Sequence, residues 1–159
     1  MPDRGPADPR RLLVDGVGAA RLMQVATVGG TGFPSICQVW FRPEFEPDRL
    51  TFLSREDREH AVNLRNDPRV AVAIALEVPA GLGERVRGVT LSGLAREIPD
   101  DALPAAAAGF VSRWPRAAAA LSRRAARVRS RLYEIAVVRW VLFDEVNFPD
   151  QPRVEIPGR

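Results

Sequence analysis

The sequence contains no lysine, and all 23 of its basic residues are arginine. This absence excludes enzymes that form a lysine Schiff base or use a lysine as general base. Cysteine and histidine occur once each, as Cys37 and His60. A single cysteine cannot form an internal disulfide and agrees with a reducing compartment, so we expect a cytoplasmic protein. Any histidine chemistry must use His60.

Long apolar runs are also absent. No window approaches the ~18 consecutive apolar residues of a transmembrane helix. The start, MPDRGPADPR, is polar and proline-rich with no apolar segment behind it, so we expect no signal peptide and no membrane partner. The formal net charge of +3 is too small to indicate a nucleic-acid partner.

What remains is the composition of a soluble globular protein. The 159 residues are 46% hydrophobic and 27% charged, enough for one domain with its own core. We expect a disordered lead-in over residues 1–7 and a single domain over residues 8–156.

Most of that domain has the pattern of β-strands. Apolar and β-branched segments bounded by glycine and proline predict six strands. The predicted strands span residues 21–28, 33–42, 49–54, 69–77, 87–98 and 131–143. Because they follow one another through short connections, they predict a mainly β fold, an antiparallel six-stranded β-barrel with short connecting helices. We expect the tail over residues 148–159 to be irregular.

Two helical regions frame this barrel. Asp8 followed by Pro9 is typical of an N-cap and a first helical residue, and predicts a short helix. An alanine- and arginine-rich helical region is predicted before the last strand, from about residue 102 to residue 127. Pro115 should split it in two, because proline disrupts a helix interior.

Three strands carry more specific expectations. In the second strand, alternation puts Ile36, Gln38, Trp40 and Arg42 on one face and Ser35, Cys37, Val39 and Phe41 on the other. Residues 69–77 are apolar at nearly every position, which predicts a strand that is central or covered on both faces. Gly93 inside the fifth strand predicts a bulge or a close backbone approach.

The stretch 49–68 connects a strand to a helix through the polar turn SRED. We expect Ser54 or Asp57 to cap that helix. The free amides of a helix N-terminus and the positive end of its dipole form a potential anion site. Its side-chain donors would be Arg55, Arg58 and His60. The alternative is an ordinary strand–helix connection with solvated charges.

Several short motifs in a fixed order extend this pattern. They are VATV with a glycine turn, QVWF, LTFLS, HAVNLRNDPRVA and RGVTLSG, followed near the C-terminus by YEI and FD. Together they resemble the FMN-binding split-barrel family related to pyridoxamine 5′-phosphate oxidase, over about residues 10–156. The resemblance implies a homodimeric oxidoreductase with FMN in a groove between subunits.

The resemblance also implies which residues bind the cofactor. The strand containing Gln38, Val39, Trp40 and Arg42 would run beside the isoalloxazine ring, largely through its backbone. The end of the next strand, with Leu53 and Ser54, and the following helix would complete the cofactor site. Ser54 and Arg58 would donate to the phosphate, and His60 would lie beside it. His60 takes the place of a lysine, and a nearby phosphate would raise its pKa. No residue is identified as catalytic, and no metal site is expected.

The sequence departs from this family at several positions. Glu59 stands where the oxidase has arginine, and Cys37 lies near another arginine position. The substrate-binding arginine and histidine of the oxidase have no match, so we do not predict pyridoxamine phosphate oxidation. Deazaflavin or haem could replace FMN, with His60 as an axial haem ligand. A non-catalytic split-barrel binding protein is the alternative, and Glu59 favours it.

Two other features have simple interpretations. Cys37 lies within a strand and is expected to be an inert packing residue rather than a redox thiol. The arginines between residues 113 and 131 could face a phosphate-rich partner. Because a single aromatic residue, Trp114, lies among them and no series of aromatic residues interleaves for base stacking, we interpret them as a solvated face.

Overall fold

The structure is a computed structural model that describes residues 7–77, 79–122 and 127–159. Apart from Ala7, the predicted lead-in over residues 1–7 therefore lies outside the described residues. Arg123 and Arg124 of the arginine-rich segment lie outside them as well.

Within these residues the chain forms seven strands and four helices. The strands are β1 (Leu22–Val28), β2 (Pro34–Phe45), β3 (Asp48–Arg55), β4 (Arg69–Glu77), β5 (Arg87–Glu97), β6 (Ser130–Asp144) and β7 (Arg153–Pro157). The helices are α1 (Pro9–Ala19), α2 (Glu59–Asn66), α3 (Leu103–Arg113) and α4 (Ala117–Leu121).

Six of the strands close into an antiparallel barrel. They are ordered β3-β2-β1-β4-β5-β6, and pairing of β3 with β6 completes the circle. The predicted fold class, a mainly β protein with an antiparallel six-stranded barrel and short helices, is confirmed. The prediction of an irregular tail is wrong, because β7 pairs with β6 outside the barrel. Pro152 and Pro157 hid this strand, and proline is tolerated there because β7 is an edge strand.

Helix α1 begins, and helix α3 ends, where local sequence signals place these boundaries. The Asp8 side chain accepts a hydrogen bond from the Arg10 amide at 2.9 Å, and Pro9 begins α1. Pro115 separates α3 from α4, as predicted. In the described part of the chain, no helix is long and apolar enough to cross a membrane.

The barrel interior is filled by alternate side chains of its strands. The largest fully buried ones are Trp140, Tyr133, Phe41 and Phe52. In β4, burial alternates, so that Val72 is buried while Ala71 and Ala73 are exposed. Strand β4 is therefore central, between β1 and β5, but only one of its faces is covered within a single chain. Alanine extends an apolar pattern, but its small side chain does not require burial.

The predicted irregularity at Gly93 is present. The pairing of β5 with β6 shifts register between Ser92 and Gly93. A Cβ atom at Gly93 would lie 2.6 Å from the Ala136 carbonyl oxygen. Only glycine permits so close an approach between these two strands.

A buried carboxylate attaches α1 to the barrel. Asp48, at the start of β3, receives two hydrogen bonds from the Arg10 guanidinium, at 2.8 and 2.5 Å. It also accepts from the Trp140 indole at 2.8 Å and from the Arg159 amide at 3.1 Å. This network links three elements that are far apart in the sequence, and no local sequence pattern indicated it.

Candidate functional site

An open groove of about 620 Å³ lies where β2, β3 and the start of α2 meet. Its lining residues are Cys37, Gln38, Val39, Leu53, Ser54, Arg55, Arg58, Glu59, His60 and Ser130. We call it the β2–β3 groove. Six of the eight residues predicted to bind a cofactor line it; Trp40 and Arg42 do not.

The groove exists because β2 and β3 separate. They pair only from Phe41 with Phe52 to Phe45 with Asp48. Beyond that point β3 continues beside β6, while β2 continues beside β1. In the described chain, residues 37–39 of β2 therefore have a strand partner on one edge only. Their other backbone edge is available to a ligand.

The separation also explains a residue that sequence reasoning missed. Ser130 begins β6 and lies opposite Arg55 of β3. It reaches the groove only because β3 pairs with β6 along the stretch where β2 has departed. No local motif distinguishes Ser130 from other serines.

Helix α2 is held against the groove by a buried polar contact. The Asn63 side-chain amide donates to Thr27 Oγ1 at 3.0 Å and to Ser35 Oγ at 3.1 Å. Thr27 and Ser35 lie opposite each other on β1 and β2. The contact therefore ties α2 to the β1–β2 hairpin. One sequence feature could have indicated this contact: Asn63 is a polar residue on the buried face of α2, between Ala61 and Leu64.

The N-terminus of α2 carries no side-chain cap. Arg58 is the N-cap residue, and no side chain accepts from the first-turn amides. The predicted caps are wrong, since both side chains bond elsewhere. Ser54 Oγ is 2.6 Å from His60 Nε2, and the Asp57 carboxylate binds Arg55 at 3.0 and 2.6 Å. The first-turn amides thus remain available to an anion.

Of the charged side chains that line the groove, one forms an ion pair within the described chain and two do not. Arg55 is neutralised by Asp57. Among the described residues, neither Arg58 nor Glu59 takes part in an ion pair. One positive and one negative charge therefore face the β2–β3 groove without a partner.

His60 is half-buried beside these charges. Burial lowers the pKa of His60, and the charge of Arg58 lowers it further, while Glu59 acts in the opposite direction. The imidazole is accordingly neutral at pH 7. Its Nε2 shares a hydrogen bond with Ser54, whose donor depends on the tautomer.

Cys37 shares the groove but is not activated. Burial raises the pKa of its thiol, and the nearby Glu59 raises it further. The thiol is therefore protonated at neutral pH, in agreement with the expectation of an inert residue.

Trp40 and Arg42 lie on the outer face of β2, next to α3. Trp40 is 50% exposed and contacts the Trp114 ring edge-on, with centroids 4.9 Å apart. Arg42 forms an ion pair with Glu44 at 3.0 Å. Its guanidinium lies against Gly109 of α3, where a Cβ atom would be only 3.0 Å from the Arg42 Cζ. Within one chain, both side chains are separate from the β2–β3 groove.

A family comparison agrees with this architecture. The family model described as pyridoxamine 5′-phosphate oxidase matches residues 12–143. The chain belongs to the pyridoxamine 5′-phosphate oxidase family. The matched segment of this family member contains the β2–β3 groove and almost all of the barrel. No curated protein sequence matches it significantly.

Solved structures share the fold. A haem-binding protein from Mycobacterium smegmatis has a TM-score of 0.78 at 19% identity, over 96% of this chain and 59% of its own. A protein of unknown function from Agrobacterium tumefaciens has a TM-score of 0.73 at 25% identity, over 97% and 64%. An FAD-binding protein from Mesorhizobium loti has a TM-score of 0.61 at 17% identity, over 80% and 88%. This family member thus spans under two thirds of the first two.

Proposed function

We propose that the protein binds a flavin in the β2–β3 groove and uses it in a redox reaction on a small molecule. The observation that carries the proposal is the separation of β2 from β3 in front of the uncapped N-terminus of α2. The separation provides a free backbone edge, and the helix provides free amides. Both lie at the same groove.

The residues present fit the two ends of such a cofactor. Arg58, the Ser54 hydroxyl and the first-turn amides of α2 would hold its phosphate. The backbone of Gln38 and Val39 would lie along its polar ring. A bound flavin supplies electron and hydride transfer, whereas the chain binds, orients and shields it. FMN is the simplest flavin that has both the ring and the phosphate.

We assign no proton-transfer role in the reaction to the described side chains of the groove. The Cys37 thiol is protonated, and His60 shares its Nε2 with Ser54. The chain's own contribution is therefore positioning.

We also propose that the working form is a cytoplasmic homodimer. The outer face of the barrel exposes small and apolar side chains across neighbouring strands. Ile36 is 71% exposed, and Leu94 and Val138 are 50% and 61% exposed. Ala71 and Ala73 lie among them on β4. A second copy of this chain would cover this outer face and bury the exposed side of β4.

Haem is the second candidate ligand. It is favoured by the presence of His60 in the groove and by the fold shared with a protein named for binding haem. Iron ligation through Nε2 would require breaking the 2.6 Å hydrogen bond to Ser54. This hydrogen bond therefore opposes haem ligation by His60 in the free protein.

The absorption spectrum of the purified protein, before and after addition of FMN, tests the proposal. Flavin bands that remain after desalting are expected. A Soret band would instead assign the groove to haem. A colourless protein that takes up no flavin, with unchanged melting temperature, would contradict flavin binding.

Arg58→Ala tests the position of the phosphate. Loss of a charge-assisted hydrogen bond should weaken FMN binding about tenfold or more. Arg55→Ala is the matched control, because Asp57 already neutralises Arg55. Flavin fluorescence quenching gives both affinities. Equal affinities of Arg58→Ala and the wild type would place the phosphate elsewhere.

A further inference from the structure

A carboxylate lines the groove beside the groups proposed to hold the phosphate. Glu59 is the first residue of α2, between Arg58 and His60, and lines the β2–β3 groove with both. A negative side chain is stabilised at this end of a helix. Glu59 therefore offsets part of the positive potential that the helix dipole would offer to an anionic ligand.

The charges of the groove can be summed from every element that lines it. The thiol from β2 and the serines from β3 and β6 are neutral. Arg55 of β3 is paired with Asp57. On α2, His60 is neutral, Arg58 is positive and Glu59 is negative. Within the described residues, the lining therefore has no net charge.

This balance matters because phosphates differ in charge. A phosphomonoester such as FMN carries about −1.5 to −2 at pH 7, since its second pKa is about 6. A phosphodiester has only one ionisable oxygen and carries a single negative charge. Arg58 can neutralise one charge; a second would lie near Glu59 and would be compensated only by protonation of His60.

We propose that Glu59 makes the groove selective for a ribityl phosphate with one negative charge, so that the cofactor is a flavin whose phosphate is esterified. The inference rests on the proposed function, namely flavin binding in this groove. Glu59 acts as a specificity-determining residue, because it contributes repulsion that grows with the charge of the ligand.

Three flavins that share the ring and the ribityl chain, and whose ends carry about zero, one and two negative charges, test the inference. They are riboflavin, the monomethyl ester of FMN, and FMN itself. We expect wild-type protein at pH 7.5 to bind the ester at least as tightly as FMN. Glu59→Gln keeps the shape of the side chain and removes its charge. It should strengthen binding about fivefold for each unit of ligand charge, and leave riboflavin unchanged.

The affinity of FMN should therefore rise about 25-fold and that of the ester about fivefold. Asp15→Asn changes the net charge of the protein equally, but on the exposed surface of α1, and should leave all three affinities unchanged. Fluorescence quenching gives the affinities, and the melting temperature checks that each variant is folded.

The outcomes separate the inference from the proposed function. Equal gains for FMN and its ester, or a gain for riboflavin, would overturn the role of Glu59 while leaving flavin binding intact. The same holds if wild-type protein prefers FMN to its ester. If neither protein binds any of the three ligands, the proposed function fails and the inference with it.

Discussion

His60 and Ser54 are bonded to each other at 2.6 Å. Sequence reasoning treated each as a separate phosphate donor. In the folded chain they form one polar pair at the wall of the groove. An anion that binds here must therefore either favour protonation of the His60 imidazole or accept a hydrogen bond from the Ser54 hydroxyl. Binding and protonation are coupled at this position.

The pKa of His60 can be measured directly, because no other histidine obscures its NMR signal. We expect a value below 6.5 in the free protein, since burial disfavours the charged imidazole. A folded-state pKa below the unfolded value means that the stability contributed by neutral His60 is present above pH 6.5. It is lost as the pH falls through the folded-state pKa. Addition of FMN should raise the pKa.

The measurement is a pH titration of the His60 Hε1 resonance. Ser54→Ala serves as the comparison, because it removes the hydrogen bond to Nε2. A pKa at or above 6.5 in the free protein would contradict this account.

Asp48 shows how a single buried charge can connect elements. Burial acts to raise the pKa of Asp48, but hydrogen bonds from Arg10, Trp140 and the Arg159 backbone outweigh it, and the pKa is lowered. The stability from this carboxylate is therefore present above its unfolded pKa of 3.8 and is lost as the pH falls through the lower folded value.

Two neighbouring arginines test this network. Arg10→Met should lower the free energy of unfolding by about 3 kcal/mol, because it leaves a buried carboxylate without its cation. Arg11→Met should change it by less than about 0.5 kcal/mol, since that arginine is exposed. Urea denaturation at pH 7 measures both. Equal stabilities of the two variants would exclude a stabilising role for the Arg10–Asp48 pair.

At the scale of elements, α2 owes its position to Asn63. Ala61 and Leu64 bury its apolar face, but only Asn63 hydrogen-bonds to β1 and β2. Arg58, Glu59 and His60 all lie at the start of this short helix. The geometry of the groove therefore depends on one buried amide.

Asn63→Ala should lower the free energy of unfolding by about 1–3 kcal/mol, because Thr27 and Ser35 lose a buried donor. It should also speed hydrogen exchange of the α2 amides. Asn66→Ala is the matched control, since its side chain is exposed and bonds only within α2. Hydrogen exchange read by mass spectrometry and chemical denaturation provide the data. Similar behaviour of the two variants would show that Asn63 is not the anchor.

The helices and strands also show which structural features local sequence can predict. Strand alternation, the Asp8–Pro9 helix start and the Pro115 break were all readable, because each depends on neighbouring residues. The caps of α2 and strand β7 were not. Ser54 bonds to His60 rather than to the helix amides, and β7 is stabilised by pairing with β6. Which of several possible hydrogen-bond partners a side chain or a strand takes depends on the whole fold.

At the scale of the molecule, the outer barrel face predicts self-association. Ala73→Arg places a charge in the middle of this face and should convert the proposed dimer to a monomer. Ala105→Arg, on the exposed side of α3, is the matched control. Light scattering coupled to size-exclusion chromatography gives the mass of each. A monomeric wild-type protein would contradict the homodimer.

The sequence by itself determined the barrel class, the positions of its six strands along the chain and the stretch that forms the start of α2. Apolar periodicity and turn residues act locally, so they are legible along the chain. Only the tertiary structure decided where β2 parts from β3, that Ser130 enters the groove, and that Ser54 meets His60. Those features depend on the register between strands and on the packing of α2, which distant residues set together. Glu59 was visible as a mismatch in the sequence, but its unpaired charge in the groove became apparent only in the fold.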